Sequence, residues 1–446
     1  MSEIANMTEH SRQGSGWGSA SATAVIVRPG PRLAGTVRVD GSKNAALPLL
    51  ACAAVIERPV RVSNVPSSAD VHVMLRLLER AGFRVDRAPD DQHSVTVHPA
   101  SGHSPSELEL AGTIRASYYL VPALLAAHGR ADLPWPGGCR IGDRGMDLHF
   151  EVYSAFGDSV ALDTSGYRVA ARETPDQVTI DLPFRSRGAS VVAVLRAVVG
   201  RVRLELGNPN LSPEFTGILD GLRSAGWRVD LLPARLRIAP PHKTDARPMS
   251  WQVPGDKIEA GTLACAIAAT DGSGRIEGVA GRDVQYLGLL LTGVGVPVDV
   301  ENGALVVLDG GERGGHGLRV SASLDPEGLD ADFEPALMAL ALGLPGTHEF
   351  GDSINPGRHG NLLAQFARLG ADIEPLTATT ARLTGPQHLV GGTAEATDIR
   401  TGSAVLVAAL AAHGETTVTG LAQLRRGHAD LLGKLRARGA DLQVRP

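Results

Sequence analysis

Several short segments of this chain place a cation where a helix or loop begins. Gly41-Ser42-Lys43-Asn44-Ala45-Ala46-Leu47-Pro48 opens an apolar stretch with a lysine, and Thr113-Ile114-Arg115-Ala116-Ser117 and Asp398-Ile399-Arg400 open two others with an arginine. Pro136-Gly137-Gly138-Cys139-Arg140-Ile141-Gly142-Asp143-Arg144 reads as a loop with one cysteine and two arginines, and Arg425-Arg426-Gly427-His428 is expected to open an outer helix. Cations at helix starts gather around a polyanion, because the unpaired backbone N–H groups there add positive potential. The net charge is −5, so the anion site is a local cluster and not a general pull toward nucleic acid or anionic membrane.

Six repeats position these residues. Outer helices are expected to end at Gly82, Gly157, Gly226, Gly295, Gly370 and Gly439, spaced 75, 69, 69, 75 and 69 residues apart. Self-similarity at a near-constant period is a repeat architecture, and the order of the spacings puts three repeats in each half. In the first repeat, residues 36–39 alternate like a strand, 44–55 form a long apolar helix, 60–62 a strand, 70–81 an amphipathic helix, and 83–85 begin the next strand. That is a βαβαβ-type unit, for which right-handed crossovers and mostly parallel, buried strands are expected. The first helix of every unit is apolar nearly all round, as at 120–127, 191–199, 262–269, 337–344 and 405–412. Such helices are buried, which predicts an α/β fold with three of them inside each half and sheets outside.

A length of 446 residues suits two domains of about 200 residues. The boundaries predicted near Pro254 and Gly41 give one domain of 44–253 and a second of 23–43 plus 254–446, with residues 24–40 pairing with the last repeat. The first 22 residues, rich in Ser, Gly and Ala, lack the order of a signal peptide and read as a disordered leader. Cys52, Cys139 and Cys265 form no C-x-x-C pair, which fits a reducing cytoplasm. No run of about 20 apolar residues predicts a membrane span. Aromatic residues make up only 4%, too few to suggest a base-stacking surface. No cluster has metal-ligand spacing, so neither metal nor cofactor is expected.

GSKNAALP, TIRAS, PGGCRIG with the following Arg144 and Asp147-Leu148-His149, and the final ATDIR together resemble the UDP-N-acetylglucosamine enolpyruvyl transferase (1-carboxyvinyltransferase) family, from about residue 28 onward. The sister 5-enolpyruvylshikimate-3-phosphate synthase family shares the fold but usually begins with GSKS- and NAGT-type signatures, which this chain lacks. The resemblance implies a two-domain inverse α/β barrel, closing over phosphoenolpyruvate and a sugar nucleotide. It also implies the reaction: a sugar hydroxyl adds to C2 of phosphoenolpyruvate while C3 gains a proton, and the tetrahedral ketal then expels phosphate. One acid, one base and a phosphate clamp are required.

By the same resemblance Cys139 is the acid at C3, its thiolate favoured by Arg140 and Arg144, while Cys52 and Cys265 inside apolar helices are structural. Lys43, Arg144 and Arg426 bind phosphate and carboxylate, with Arg115 and Arg400 beside them, and Asn44 holds the intermediate and the sugar. Asp332 aligns with the general base, with Asp330 and Glu334 as rivals. Asp147 and His149 lie at the uracil site.

Departures from the family bear on the acceptor. The Phe-Glu-Asn-Arg-Phe wall of the amino sugar reads Ser353-Ile354-Asn355-Pro356-Gly357-Arg358-His359, with Arg358 matching the motif's arginine. The diphosphate-lining Lys-x-Ser-Val-Gly-Ala reads Phe184-Arg185-Ser186-Arg187-Gly188-Ala189. Two arginines are gained and the lysine is lost, which suits a terminal phosphate dianion. The reading favoured is therefore transfer to the 3′-hydroxyl of UMP, as in nucleoside-antibiotic pathways. The alternatives are the 3-hydroxyl of UDP-N-acetylglucosamine, as in peptidoglycan synthesis, and a catalytically inactive nucleotide-binding regulator.

Overall fold

In the computed structural model the chain is described at residues 23–100, 105, 108–138, 145–242, 247–311, 314, 317–325 and 328–446. It divides into two units, crossing between them at Asp40–Gly41 and at Pro254–Gly255. One unit contains Gly41–Gly138 and residues 145–254; the other contains residues 23–40 and Gly255–Pro446.

Apolar composition decides what lies inside. In the unit of 41–254, helices Lys43–Val55, Leu120–His128 and Arg187–Gly200 pack against one another in all three pairings. Lys257–Ala269, Glu334–Ala341 and Ile399–Ala411 do the same in the other unit. From Ala45 to Val55 every residue of the first inner helix is buried, as is every residue of the last from Ile399 to Leu410. Around these inner helices lie three sheets per unit, so each unit is an α/β barrel turned inside out. Outer amphipathic helices such as Ala69–Arg80 and Pro213–Ser224 bury one stripe. All six repeat glycines adopt positive φ, between 79° at Gly295 and 111° at Gly439. Only glycine takes that left-handed turn without steric penalty, and it stops the helix there.

The strands differ from the expectation of mostly parallel pairing. Five sheets have four strands and one has three, and each four-stranded sheet contains one parallel pair and two antiparallel ones. The reason is local: after each of the first five outer helices the chain makes a hairpin, as in Arg228–Leu232 with Arg235–Ala239, before entering the next repeat. Their burial alternates along the strand, so one face is solvated. Ala24–Arg28 pairs with Thr416–Thr419 and Asp441–Arg445 of the last repeat, but Ala34–Arg38 joins Ser273–Glu277 of the fourth. Among the described residues no helix is long and apolar enough to cross a membrane.

Several inner helices begin earlier than their apolar runs. The run at 191–199 starts at Arg187, 262–269 at Lys257, and 405–412 at Ile399, because Ser186, Asp256 and Asp398 cap them. The added turns contain the candidate site residues Arg187, Gly188 and Arg400.

Candidate active site

In the unit of 41–254, Ser42 caps the first inner helix, its hydroxyl accepting from Ala45 N at 3.4 Å. A Cβ on Gly41 would sit 1.9 Å from Asn64 O, so only glycine fits there. Lys43 and Asn44 therefore occupy the first turn, and the Lys43 ammonium lies 3.3 Å from Asp70 Oδ2. Arg115 begins a 3₁₀ turn, Arg115–Tyr119, leading into Leu120–His128, and donates to Gly145 O at 3.3 Å.

Ser186 caps Arg187–Gly200 by accepting from Ala189 N at 3.3 Å. At the second helical position, a Cβ on Gly188 would meet His149 Nε2 at 2.4 Å and Tyr118 Oη at 3.0 Å. The missing side chain lets the His149 ring press on this helix start, edge-on to Tyr118 with centroids 4.4 Å apart. His149 is 6% exposed, and neither ring nitrogen has a hydrogen-bond partner among the described residues. Burial, with Arg115 adding to it, lowers its pKa to about 4, so the imidazole is neutral at pH 7. Two orphaned polar atoms against a helix N-terminus are what a bound polar ligand would satisfy. Asp147 opens the same short helix, Asp147–Ala155, and is exposed. Tyr118 was missed by the sequence reading, although it stands three residues after Arg115.

The two added arginines flank this helix start. Arg185 Nη1 donates to Pro233 O at 2.9 Å and Pro209 O at 3.4 Å. Arg187 lies 3.8 Å from buried Glu214 Oε2.

The other unit holds the carboxylates. Asp332 accepts from Arg358 Nη2 at 3.0 Å and lies 3.1 Å from Arg400 Nη2, so both its oxygens are oriented. Arg358 is 1% exposed; it also donates to Ala331 O at 2.6 Å and pairs with Asp352 Oδ2 at 3.2 Å. Burial alone would lower its pKa, but Asp332 and Asp352 outweigh that and raise it. Arg400 follows the cap Asp398, whose carboxylate accepts from Arg400 N at 2.9 Å and Thr401 N at 3.1 Å. The rivals are engaged elsewhere: Asp330 lies 2.9 Å from Lys257 Nζ, and fully buried Glu334 is bonded to His359 Nε2 at 2.7 Å.

Arg426 does not open a helix. It sits in the last turn of Leu421–Gly427, with Nη1 3.3 Å from Gln423 Oε1, and a second short helix begins only at Leu431. The break occurs because His428 is extended and Asp430 caps the second helix through Gly433 N. Cys139, Arg140 and Arg144 lie outside the described residues. Cys52 and Cys265 are fully buried, and burial raises both thiol pKa values, that of Cys265 to about 12. Among the described residues no three His, Cys, Asp or Glu side chains are placed to hold a metal ion.

The inside-out barrels, the cationic helix starts and the arginine-clamped carboxylate define an enolpyruvyl transferase. The family model for EPSP synthase (3-phosphoshikimate 1-carboxyvinyltransferase) matches residues 27–435, and the chain belongs to that family. It is 33% identical over 425 residues to UDP-N-acetylglucosamine 1-carboxyvinyltransferase 3 of Symbiobacterium thermophilum, covering 95% of this chain and 98% of the relative. The UDP-N-acetylglucosamine 1-carboxyvinyltransferase of Sphingopyxis alaskensis is 31% identical over 428 residues, covering 94% and 98%. Among solved structures, the enolpyruvyl transferase NikO from Streptomyces tendae superposes with a TM-score of 0.83 at 26% identity, covering 95% of this chain and all of that one. EPSP synthase from Acinetobacter baumannii, at 0.71 and 17% identity over the same share of each chain, is alike in fold.

Proposed function

We propose that this enolpyruvyl transferase uses the hydroxyl of a uridine nucleotide as acceptor, and that the acceptor is UMP. The observation that carries this reading is the start of helix Arg187–Gly200. There Ser186 caps the helix start, Gly188 carries no side chain to fill the space beside His149, His149 keeps two unsatisfied nitrogens, and Arg185 and Arg187 add two guanidiniums. A phosphate dianion suits paired guanidiniums through charge-assisted hydrogen bonds. The neutral imidazole of His149, beside Tyr118, suits an uncharged base edge.

In the reaction, Lys43, Arg115, Arg144, Arg400 and Arg426 hold the phosphate and carboxylate of phosphoenolpyruvate, and Asn44 supports the intermediate. Asp332 takes the proton of the acceptor hydroxyl as it attacks C2, and Cys139 delivers a proton to C3. Phosphate then leaves the ketal as C3 gives up a proton and the enol ether forms. The oriented oxygens of Asp332 suit the base better than Glu334, which has no exposure. The cytoplasm is the compartment proposed.

A second reading, UDP-N-acetylglucosamine as acceptor, is favoured by the names of the relatives above. Phosphate release with phosphoenolpyruvate and each of UMP, UDP and UDP-N-acetylglucosamine separates the two. The result expected is turnover highest with UMP; rates with UDP-N-acetylglucosamine well above UMP overturn the first reading. Phosphate release with none of them favours a nucleotide-binding regulator.

A further inference from the structure

His428 stands two residues after Arg426 and is 2% exposed. Its backbone N–H closes the helix Leu421–Gly427 by donating to Leu424 O at 2.9 Å. That helix is pressed against the inner helix Ile399–Ala411: a Cβ on Gly427 would meet Ile399 Cγ2 at 2.5 Å. The imidazole reaches the same inner helix, with Nε2 3.0 Å from Ser403 Oγ. Ser403 has one hydrogen and donates it to Ile399 O at 2.9 Å. Nε2 of His428 is therefore the donor to Ser403, and a second proton, on Nδ1, would make the ring a cation.

Nδ1 lies 4.0 Å from Glu259 Oε1. Glu259 is 2% exposed, and that oxygen has no hydrogen-bond partner. Its other oxygen is fully used, accepting from Lys434 Nζ at 2.7 Å and from Asp40 N at 2.8 Å. The groups facing this carboxylate are Lys434 from helix Leu431–Arg436, Asp40 from the segment after strand Ala34–Arg38, Asp256 from its own helix cap, and His428 from the turn. Glu259 and Asp40 thus share the Lys434 ammonium, with Asp256 adding negative charge beside Glu259, while Arg400 is engaged by Asp332. A buried carboxylate oxygen without a partner is costly, and one more proton in this cluster removes the cost.

We propose that a proton held between His428 Nδ1 and Glu259 Oε1 latches the turn that carries Arg426, making His428 a positioning residue for the phosphoenolpyruvate clamp. The proton comes from solvent and returns to it, and no bond to substrate is involved. Burial raises the Glu259 carboxyl to about 7, with Lys434 opposing and Asp40 and Asp256 assisting, so the cluster takes up its proton as pH falls through neutrality. The latch is closed below that range and open above it. This rests on the assignment of Arg426 to phosphoenolpyruvate.

The test is the KM of phosphoenolpyruvate from pH 5.5 to 8.5 in wild type, His428→Gln and Glu259→Gln, with saturating nucleotide. Wild type should weaken about tenfold across the range, the size of one charge-assisted hydrogen bond. Both variants should lose that pH dependence while the acceptor's KM stays within about twofold. Profiles parallel to wild type in both overturn the latch. Arg426→Ala with an unchanged KM for phosphoenolpyruvate would instead overturn the assignment of Arg426. The latch is then read by imidazole ¹⁵N NMR: Nδ1 of His428 should be protonated at pH 6 in wild type and lose that proton in Glu259→Gln, and identical spectra overturn it. If His428→Gln does not fold, Ser403→Ala, which keeps the imidazole but removes its anchor, should weaken phosphoenolpyruvate binding in its place; an unchanged KM there overturns the proposal.

Discussion

Replacing Arg358 by Met should remove one of the two arginines that orient Asp332. The guanidinium holds Asp332 at 3.0 Å, Asp352 at 3.2 Å and Ala331 O at 2.6 Å, with no exposure of its own side chain. Removing it leaves Asp352, also fully buried, without its cation. Breaking a buried pair from one side costs about 3–5 kcal/mol. Asp352 keeps bonds from Ile354 N, Asn355 N and Asn355 Nδ2, so the low end, about 3 kcal/mol, applies. For a unit of this size that lowers Tm by about 6–12 °C. The assay is calorimetry combined with steady-state kinetics on Arg358→Met, Asp352→Asn and the double variant. The double variant should regain much of the lost Tm, since removing both partners leaves no orphaned charge, but should not regain kcat, because Asp332 still lacks the guanidinium that orients its Oδ1. A Tm within 2 °C of wild type and an unchanged kcat in Arg358→Met would refute the reasoning.

Cys139 should be the residue alkylated by an epoxide phosphonate such as fosfomycin. Cys139→Ser should lose both label and turnover, and a label mapped to Cys52 or Cys265, whose thiols are buried and raised in pKa, would contradict the assignment. Gly188→Ala drives a methyl to 2.4 Å from His149 Nε2. Overpacking of about 1–3 kcal/mol should raise the acceptor's KM between fivefold and a hundredfold, with little change for phosphoenolpyruvate, and equal changes in both would argue against a nucleotide site there. His149 has a folded pKa near 4 against about 6.5 unfolded. Above pH 6.5 both states are neutral and it has no effect; between 6.5 and 4 the unfolded chain binds the extra proton, so stability falls with pH and levels off below 4. Denaturant titrations at pH 7 and 4.5 should show wild type losing about 2–3 kcal/mol more than His149→Gln, and equal losses would refute the buried neutral imidazole.

The repeat was legible because glycine is forced at each outer helix stop, where φ is positive, and because an all-apolar helix has only the interior to occupy. The mixed strand direction was not legible: residues 83–85 look the same whether they start a crossover or a hairpin. Local motifs found Lys43, Arg187 and Arg400 because caps such as Ser42, Ser186 and Asp398 sit one or two residues away. Long-range partners left no signal. Arg358 pairs with Asp332 and Asp352 across the repeat, and Tyr118 meets His149 from a neighbouring helix. The break at His428 was hidden for a related reason: Arg425-Arg426-Gly427-His428 reads as a helix start until Ile399, packed against Gly427, and the cap Asp430 are seen.

Why the chemistry gathers at the first turns of the inner helices follows from burial. Charge in the middle of such a helix must be paired on all sides, and Arg196 shows what that takes. It is 1% exposed, held by both oxygens of Asp158 at 2.6 and 2.7 Å and by Thr174, with its guanidinium over the Phe156 ring. That arrangement satisfies the protein and leaves nothing for a ligand. At a first turn the backbone supplies N–H groups without intrahelical partners, the cap orients them, and a lysine or arginine can keep its head toward an anion. Lys43, Arg187 and Arg400 all sit there. The apolar remainder of each helix fixes the barrel, so residues 184–189 can exchange a lysine for arginines without disturbing the core from Ala189 to Val198. In the proposed reading, acceptor choice is therefore set where packing constrains the sequence least.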